Sequence, residues 1–136
     1  MPATKWGLAS SGKICFDFAN ALTTLKDGNH EIVAVAARSA ASAKEFAAKF
    51  DIPKALEGYA ALAADSDVEV VYVGTIHPTH LQVVKMMLEG GKHVLCEKPL
   101  AMNVRETTEM IQLAKDKGLF LMEAMWTSFL PPHEKV

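Results

Sequence analysis

The chain has 136 residues, half of them hydrophobic and 22% charged, with a formal net charge of −2 at pH 7. That balance suits one globular domain able to bury a core without metal or disulfides, and it excludes a disordered polymer. Acidic and basic residues are interspersed with no cationic stripe, no apolar run can span a bilayer, and MPATKWGLAS lacks a basic-then-apolar leader; the expected place is the cytoplasm, with no nucleic-acid or membrane partner.

The apolar pattern alternates short β-branched runs with longer amphipathic segments, the sequence form of repeated βαβ units. Residues 5–10 read as the first strand, and 12–25 as a helix that runs out at Asp27-Gly28-Asn29. Residues 32–37 form a continuous apolar strand of the kind covered on both faces, after which Ser39 offers an N-cap to an Ala-rich helix through Phe50. Pro53 ends that helix, residues 54–56 read as a short edge strand and 59–64 as a brief helix. The run VEVVYV over 68–73 is the fourth strand, His77-Pro78 suits a helix start, and the helix over 79–89 closes at Gly90-Gly91. Residues 93–96 give the fifth strand, Glu97-Lys98-Pro99 a loop, Asn103-x-x-Glu106 a capping box, Gly118 a helix stop, and 119–123 the sixth strand. The expected fold is α/β, a doubly wound parallel sheet in order 3-2-1-4-5-6, with residues 1–124 as a dinucleotide-binding domain and 125–136, containing Pro131-Pro132, as the start of a crossover. Cys15 and Cys96, each inside an apolar segment, read as two buried thiols and not as a disulfide.

In such a sheet ligands bind beyond the carboxyl ends of the strands, where the strand order reverses between the first and the fourth. A dinucleotide fingerprint would place glycines at 10, 12 and 15, and only Gly12 is present among Ser10, Gly12 and Cys15. With Lys13 and Ile14 opening the helix, Ser10 and Gly12 are candidates to approach a pyrophosphate, although an ordinary strand-to-helix turn with one glycine reads the same way. At the end of the second strand the acidic residue that would accept bonds from a ribose is replaced by Arg38-Ser39. A guanidinium there clamps a 2′-phosphate and a hydroxyl adds a donor, so NADP is the expected cofactor; a solvated arginine preceding a helix is the other reading. After the fourth strand, Thr75, His77 and His80 are candidates to face the cofactor, or for a histidine to donate to a backbone carbonyl. Two histidines three apart with no cysteine or carboxylate cluster are poor metal ligands, and no metal is expected.

The string GGKHVLCEKPLAMN, with TIHPTH before it, resembles the glucose-fructose oxidoreductase, inositol dehydrogenase and MocA family, and WGLASSGKI, VAVAARS, AKEFAAKFDIPKA and GLFLMEAMWTSFLP carry the likeness over essentially the whole chain. The resemblance implies an NADP-dependent oxidoreductase acting on CH–OH or dihydrodiol groups, with trans-1,2-dihydrobenzene-1,2-diol and D-xylose as substrates. It implies that Lys98 is catalytic and near the cofactor, with Glu97 and Pro99 in the same site positioning it. An ammonium there stabilises negative charge developing on oxygen or joins a proton relay, while a loop lysine in solvent is the bland alternative. Trp126 is expected to contact the cofactor or to anchor the crossover.

Members of that family are considerably longer, with a second α/β domain that supplies substrate-binding groups and most of any homodimer interface. Close relatives also tend to carry arginine where this chain has Ser128. Two functions therefore stand: a dehydrogenase of which this chain is the cofactor-binding half, incomplete for turnover, or an NADP(H)-binding module acting as a sensor or as partner of a full-length subunit.

Overall fold

The computed structural model of the chain describes residues 2–25 and 27–125. In chain order it runs β1 (Thr4–Ala9), α1 (Lys13–Thr23), β2 (His30–Ala37), α2 (Ala40–Phe50), β3 (Lys54–Glu57), α3 (Tyr59–Ala64), β4 (Val70–Val73), a 3-10 turn (His77–Thr79), α4 (His80–Glu89), β5 (His93–Glu97), α5 (Val104–Lys117) and β6 (Leu121–Ala124). All strand pairs are parallel and the order is β3-β2-β1-β4-β5-β6, as the alternation of elements predicts.

Strands with apolar residues at successive positions must be covered on both faces. On one face Leu8, Val35 and Tyr72 meet Cys15 and Ala19 of α1 and Phe46 of α2. On the other, Ala34, Val71, Val73 and Val94 meet Leu62 of α3, Val84 and Met87 of α4, and Met110 of α5. Each fully buried aliphatic side chain contributes about 1.5–3 kcal/mol, so the two layers fix which helices lie on which side.

The helix punctuation works through named atoms. Ser39 Oγ accepts the Ser42 amide at 3.2 Å, and Gly118 closes α5 in the left-handed region at φ 66°. Asn103 Oδ1 accepts the Glu106 amide at 2.9 Å, but Glu106 returns its carboxylate to the Met102 amide, one residue before the expected one. Several boundaries shift by one or two residues. β4 starts at Val70 because the Val68 amide still turns back to the Asp65 carbonyl. β6 starts at Leu121 because the Leu119 amide remains bonded to the Ala114 carbonyl at the end of α5. The segment expected to be helical from 79 opens with the 3-10 turn, and α4 begins at His80. Both cysteines are buried and free, and burial pushes each thiol up to about 12. No helix among the described residues is long and apolar enough to cross a membrane.

Candidate cofactor site

The exits of β1, β2 and β4 enclose an open cleft of about 1040 Å³ at the switch point of the sheet. Its floor is the turn between β1 and α1. Ser10 holds φ 120°, a conformation that glycine adopts most readily, and its Oγ accepts the Gly12 amide at 3.0 Å. The serine thus keeps the backbone bend of the missing first glycine and ties the turn with its own hydroxyl. Gly12 is the extended N-cap of α1 (φ −78°, ψ 179°) and presents no side chain to the cleft. The first bond of α1 runs from the Phe16 amide to the Gly12 carbonyl, so the amides of Lys13, Ile14 and Cys15 have no helical acceptor and stand at the positive end of the helix dipole.

The third fingerprint position, where glycine normally lets helix and strand approach, is Cys15. The approach is made from the other side. A Cβ on Gly74, just past β4, would lie 2.6 Å from Cys15 Sγ and 2.9 Å from Ile14 Cγ2. The glycine has moved from the helix to the facing strand, and the close packing of α1 on β4 is kept.

Arg38 and Ser39 stand exposed at the β2 exit, on the rim of the cleft. The Ser39 hydroxyl donates to Ser42 Oγ at 2.9 Å, which leaves the Ser42 O–H as the free donor of the pair. Tyr59, at the start of α3, closes this end; burial raises its phenol and the nearby Arg38 guanidinium lowers it. On the opposite wall lie Thr75, His77 and Ile76, the last 70% exposed although apolar. Thr75 Oγ1 is buried with no hydrogen-bond partner among the described residues. Such an orphan costs about 1–3 kcal/mol, and a polar ligand atom in the cleft would offset it.

Beyond this wall is the Glu97-Lys98-Pro99 loop at the end of β5. Lys98 is exposed and does not line the cleft itself. Its amide donates to Glu97 Oε2 at 3.1 Å, the Leu100 amide donates to Glu123 Oε2 at 2.7 Å, and the Lys98–Pro99 peptide is cis. Glu97 Oε1 accepts the Tyr72 hydroxyl at 2.7 Å, and the Tyr72 ring stacks on Phe18 of α1 with centroids 3.9 Å apart. Burial, followed by the bond to Glu97, drives the Tyr72 phenol far above its ordinary value.

Ser10, Gly12, Lys13, Arg38, Ser39, Thr75 and His77 therefore line one cleft. Three other candidates take different positions. His80 is fully buried, with both ring nitrogens held by carbonyl oxygens, and does not face the cleft. Glu97 turns both carboxylate oxygens to Tyr72 and the Lys98 amide, so it braces the loop. Ile14 is not among the cleft-lining residues, although its side chain lies beside Gly74, which is, and its amide stands at the turn. Trp126 and Ser128 lie outside the described residues. Sequence reasoning missed Ser42, Tyr59 and Ile76; Ile76 follows a strand exit directly, a position that by itself marks a candidate. Among the described residues no group of three or more His, Cys, Asp or Glu gathers as metal ligands would.

A parallel sheet that reverses its order beside a helix N-terminus, with a side-chain-free turn, an uncovered row of amides and an orphaned hydroxyl, has the site of a dinucleotide-binding Rossmann domain, and these residues fit such a ligand. The chain belongs to the oxidoreductase family with an NAD-binding Rossmann fold, whose sequence profile matches residues 4–125. It is 52% identical over 134 residues to the trans-1,2-dihydrobenzene-1,2-diol dehydrogenase of Xenopus tropicalis, covering 98% of this chain and 41% of that protein. The human protein of the same name is 52% identical over 132 residues, covering 97% of this chain and 40% of its own length. Among solved structures, KijD10, a 3-ketoreductase from Actinomadura kijaniata in complex with NADP, superposes with a TM-score of 0.91 at 30% identity, over 98% of this chain and 42% of that one. The chain thus spans about two fifths of the length of these relatives.

Proposed function

We propose that this chain is the cofactor-binding domain of an NADP-dependent dehydrogenase that oxidises a CH–OH group on a trans-dihydrodiol or on a pentose such as D-xylose. The observation that carries the cofactor choice is Arg38, exposed on the cleft rim where a ribose-binding carboxylate stands in NAD-preferring sites. The names of the dihydrodiol dehydrogenases and the NADP bound to the ketoreductase support the same reading.

The residues divide the work by position along the cleft. The Arg38 guanidinium meets a 2′-phosphate with two N–H donors, and Ser42 adds a hydroxyl that its bond from Ser39 leaves free to donate. Gly12 allows a pyrophosphate close to the backbone, and the amides of Lys13 and Ile14 donate to it. Thr75 and His77 continue the wall toward the β5 loop. When bound, the nicotinamide of the cofactor supplies the hydride acceptor. Lys98 stands at the loop next to that end, where an ammonium stabilises negative charge on a substrate oxygen or passes on its proton. On this reading residues 1–124 are the cofactor domain and 125–136 begin the crossover.

The test is NADPH formation at 340 nm with saturating trans-1,2-dihydrobenzene-1,2-diol or D-xylose, using the polypeptide encoded by the complete reading frame and its Lys98→Met variant. Oxidation of the diol or the sugar that is lost in Lys98→Met is the expected result. Failure to oxidise either substrate, or full activity of the variant, would overturn the assignment.

A further inference from the structure

His80 is the fully buried histidine of the described chain, and its ring spans two loops. Nδ1 lies 2.9 Å from the Pro99 carbonyl oxygen and Nε2 lies 2.9 Å from the Thr75 carbonyl oxygen. Thr75 belongs to the cleft wall at the β4 exit, and Pro99 follows Lys98 directly. Burying an imidazole is costly unless its nitrogens are satisfied, and an aliphatic side chain of similar size would fill the same space without that cost. The polar ring is therefore explained by what it ties together. Either neutral tautomer donates to one of the two carbonyls, and the imidazolium donates to both.

The other bonds of the loop hold it to its own side of the sheet. The Lys98 amide is held by Glu97 of β5 and the Leu100 amide by Glu123 of β6. Tyr72 reaches the loop from β4 only through the Glu97 side chain. His80 is the direct tie, among the described residues, between the loop's backbone and the exit of β4. We propose that His80 is a positioning residue for Lys98, pinning the Pro99 carbonyl so that the lysine is presented to the nicotinamide end of the cleft. The proposal rests on the assignment of Lys98 to that end.

The two contacts can be tested one at a time. In His80→Asn, Nδ2 stands one bond beyond Cγ, as Nδ1 does, and keeps the bond to Pro99. In His80→Gln, Nε2 stands two bonds beyond Cγ and keeps the bond to Thr75. On the chain itself, amide hydrogen exchange at Lys98 and Leu100 is measured by NMR, alongside titrations with NADPH and with adenosine 2′,5′-bisphosphate, which lacks the nicotinamide half. The expected result is near-unchanged exchange and NADPH affinity in His80→Asn. His80→Gln should show exchange faster by about fivefold to tenfold and NADPH binding weaker by a similar factor, the size of one lost hydrogen bond. Binding of the bisphosphate should be unchanged in both. In a Lys98→Met background His80→Gln should cost no further NADPH affinity, because the residue acts through the lysine. Equal exchange rates in the Asn and Gln variants, or additive losses with Lys98→Met, would overturn the proposal. If Lys98→Met leaves NADPH affinity intact, the assignment of Lys98 fails, and with it the role of His80 in presenting that lysine, whereas the exchange comparison still shows whether the Pro99 bond holds the loop.

Discussion

Replacing Gly74 by alanine tests how the cleft compensates for its missing glycines. The new Cβ would meet Cys15 Sγ at 2.6 Å and Ile14 Cγ2 at 2.9 Å. Both contacts are roughly 1 Å short of comfortable van der Waals separation. Cys15 is fully buried in the first turn of α1 and has no room to swing, so the helix N-terminus must retreat from β4. Overpacking of this kind costs about 1–3 kcal/mol. Cys15→Ala alone should cost about 1 kcal/mol through the lost burial of its sulfur. In the double variant the closer clash is gone and that with Ile14 remains, so the two substitutions should couple favourably by about 1–2 kcal/mol. Urea unfolding followed by far-UV circular dichroism reads this as midpoint shifts at constant m. NADPH affinity should fall about tenfold in Gly74→Ala, because the retreating helix carries its amides away from the pyrophosphate, and should largely return in the double variant. Wild-type stability of Gly74→Ala, or additivity of the two changes within about 0.5 kcal/mol, would refute the reasoning.

Gly12→Val should abolish NADPH binding while circular dichroism and the unfolding midpoint stay close to wild type, since Gly12 has a negative φ and its Cβ direction meets only Ser10 Oγ, at 3.2 Å; undiminished affinity would contradict the phosphate role of this turn. The two buried thiols make stability fall in alkali. With each folded-state value raised to about 12, their contribution is fully present below the unfolded thiol value and is lost as pH rises from there toward the folded one. From an unfolded value of about 8.5 the loss by pH 10 is about 2 kcal/mol per thiol, and the Cys15→Ala, Cys96→Ala double variant should show a flatter decline between pH 8 and 10. An unchanged decline in that variant would argue against buried thiols as its cause.

The parts of the fold legible in the sequence were those written in local chemistry. Ser39, Asn103 and Gly118 mark helix ends because their side chain, or its absence, acts on backbone within a few residues. The apolar runs of β2 and β4 declare strands covered on both faces, which is enough for the strand order once short right-handed connections are assumed. The cleft was legible as strand exits. Its details were not, because they depend on residues distant in sequence. That Gly74 does the packing work of a glycine at position 15 requires knowing that α1 lies against the β4 exit. His80 was open to two readings, packing against the cofactor or bonding a backbone carbonyl, and the carbonyl it meets on Pro99 lies nineteen residues on. The resemblance implied that Glu97 positions Lys98, and what it left out was the partner Tyr72, which lies on the neighbouring strand.

Arg38 is the residue proposed to select NADP(H) in the switch-point cleft. Titration of the chain with NADPH and with NADH, followed by nicotinamide fluorescence, in the wild type and in Arg38→Asp, addresses that role directly. A charge-assisted bidentate contact to the 2′-phosphate contributes about 1.5–3 kcal/mol, so NADPH should bind one to two decades more tightly than NADH, and Arg38→Asp should reverse the order. Equal affinities in the wild type, or binding of neither nucleotide, would contradict the account.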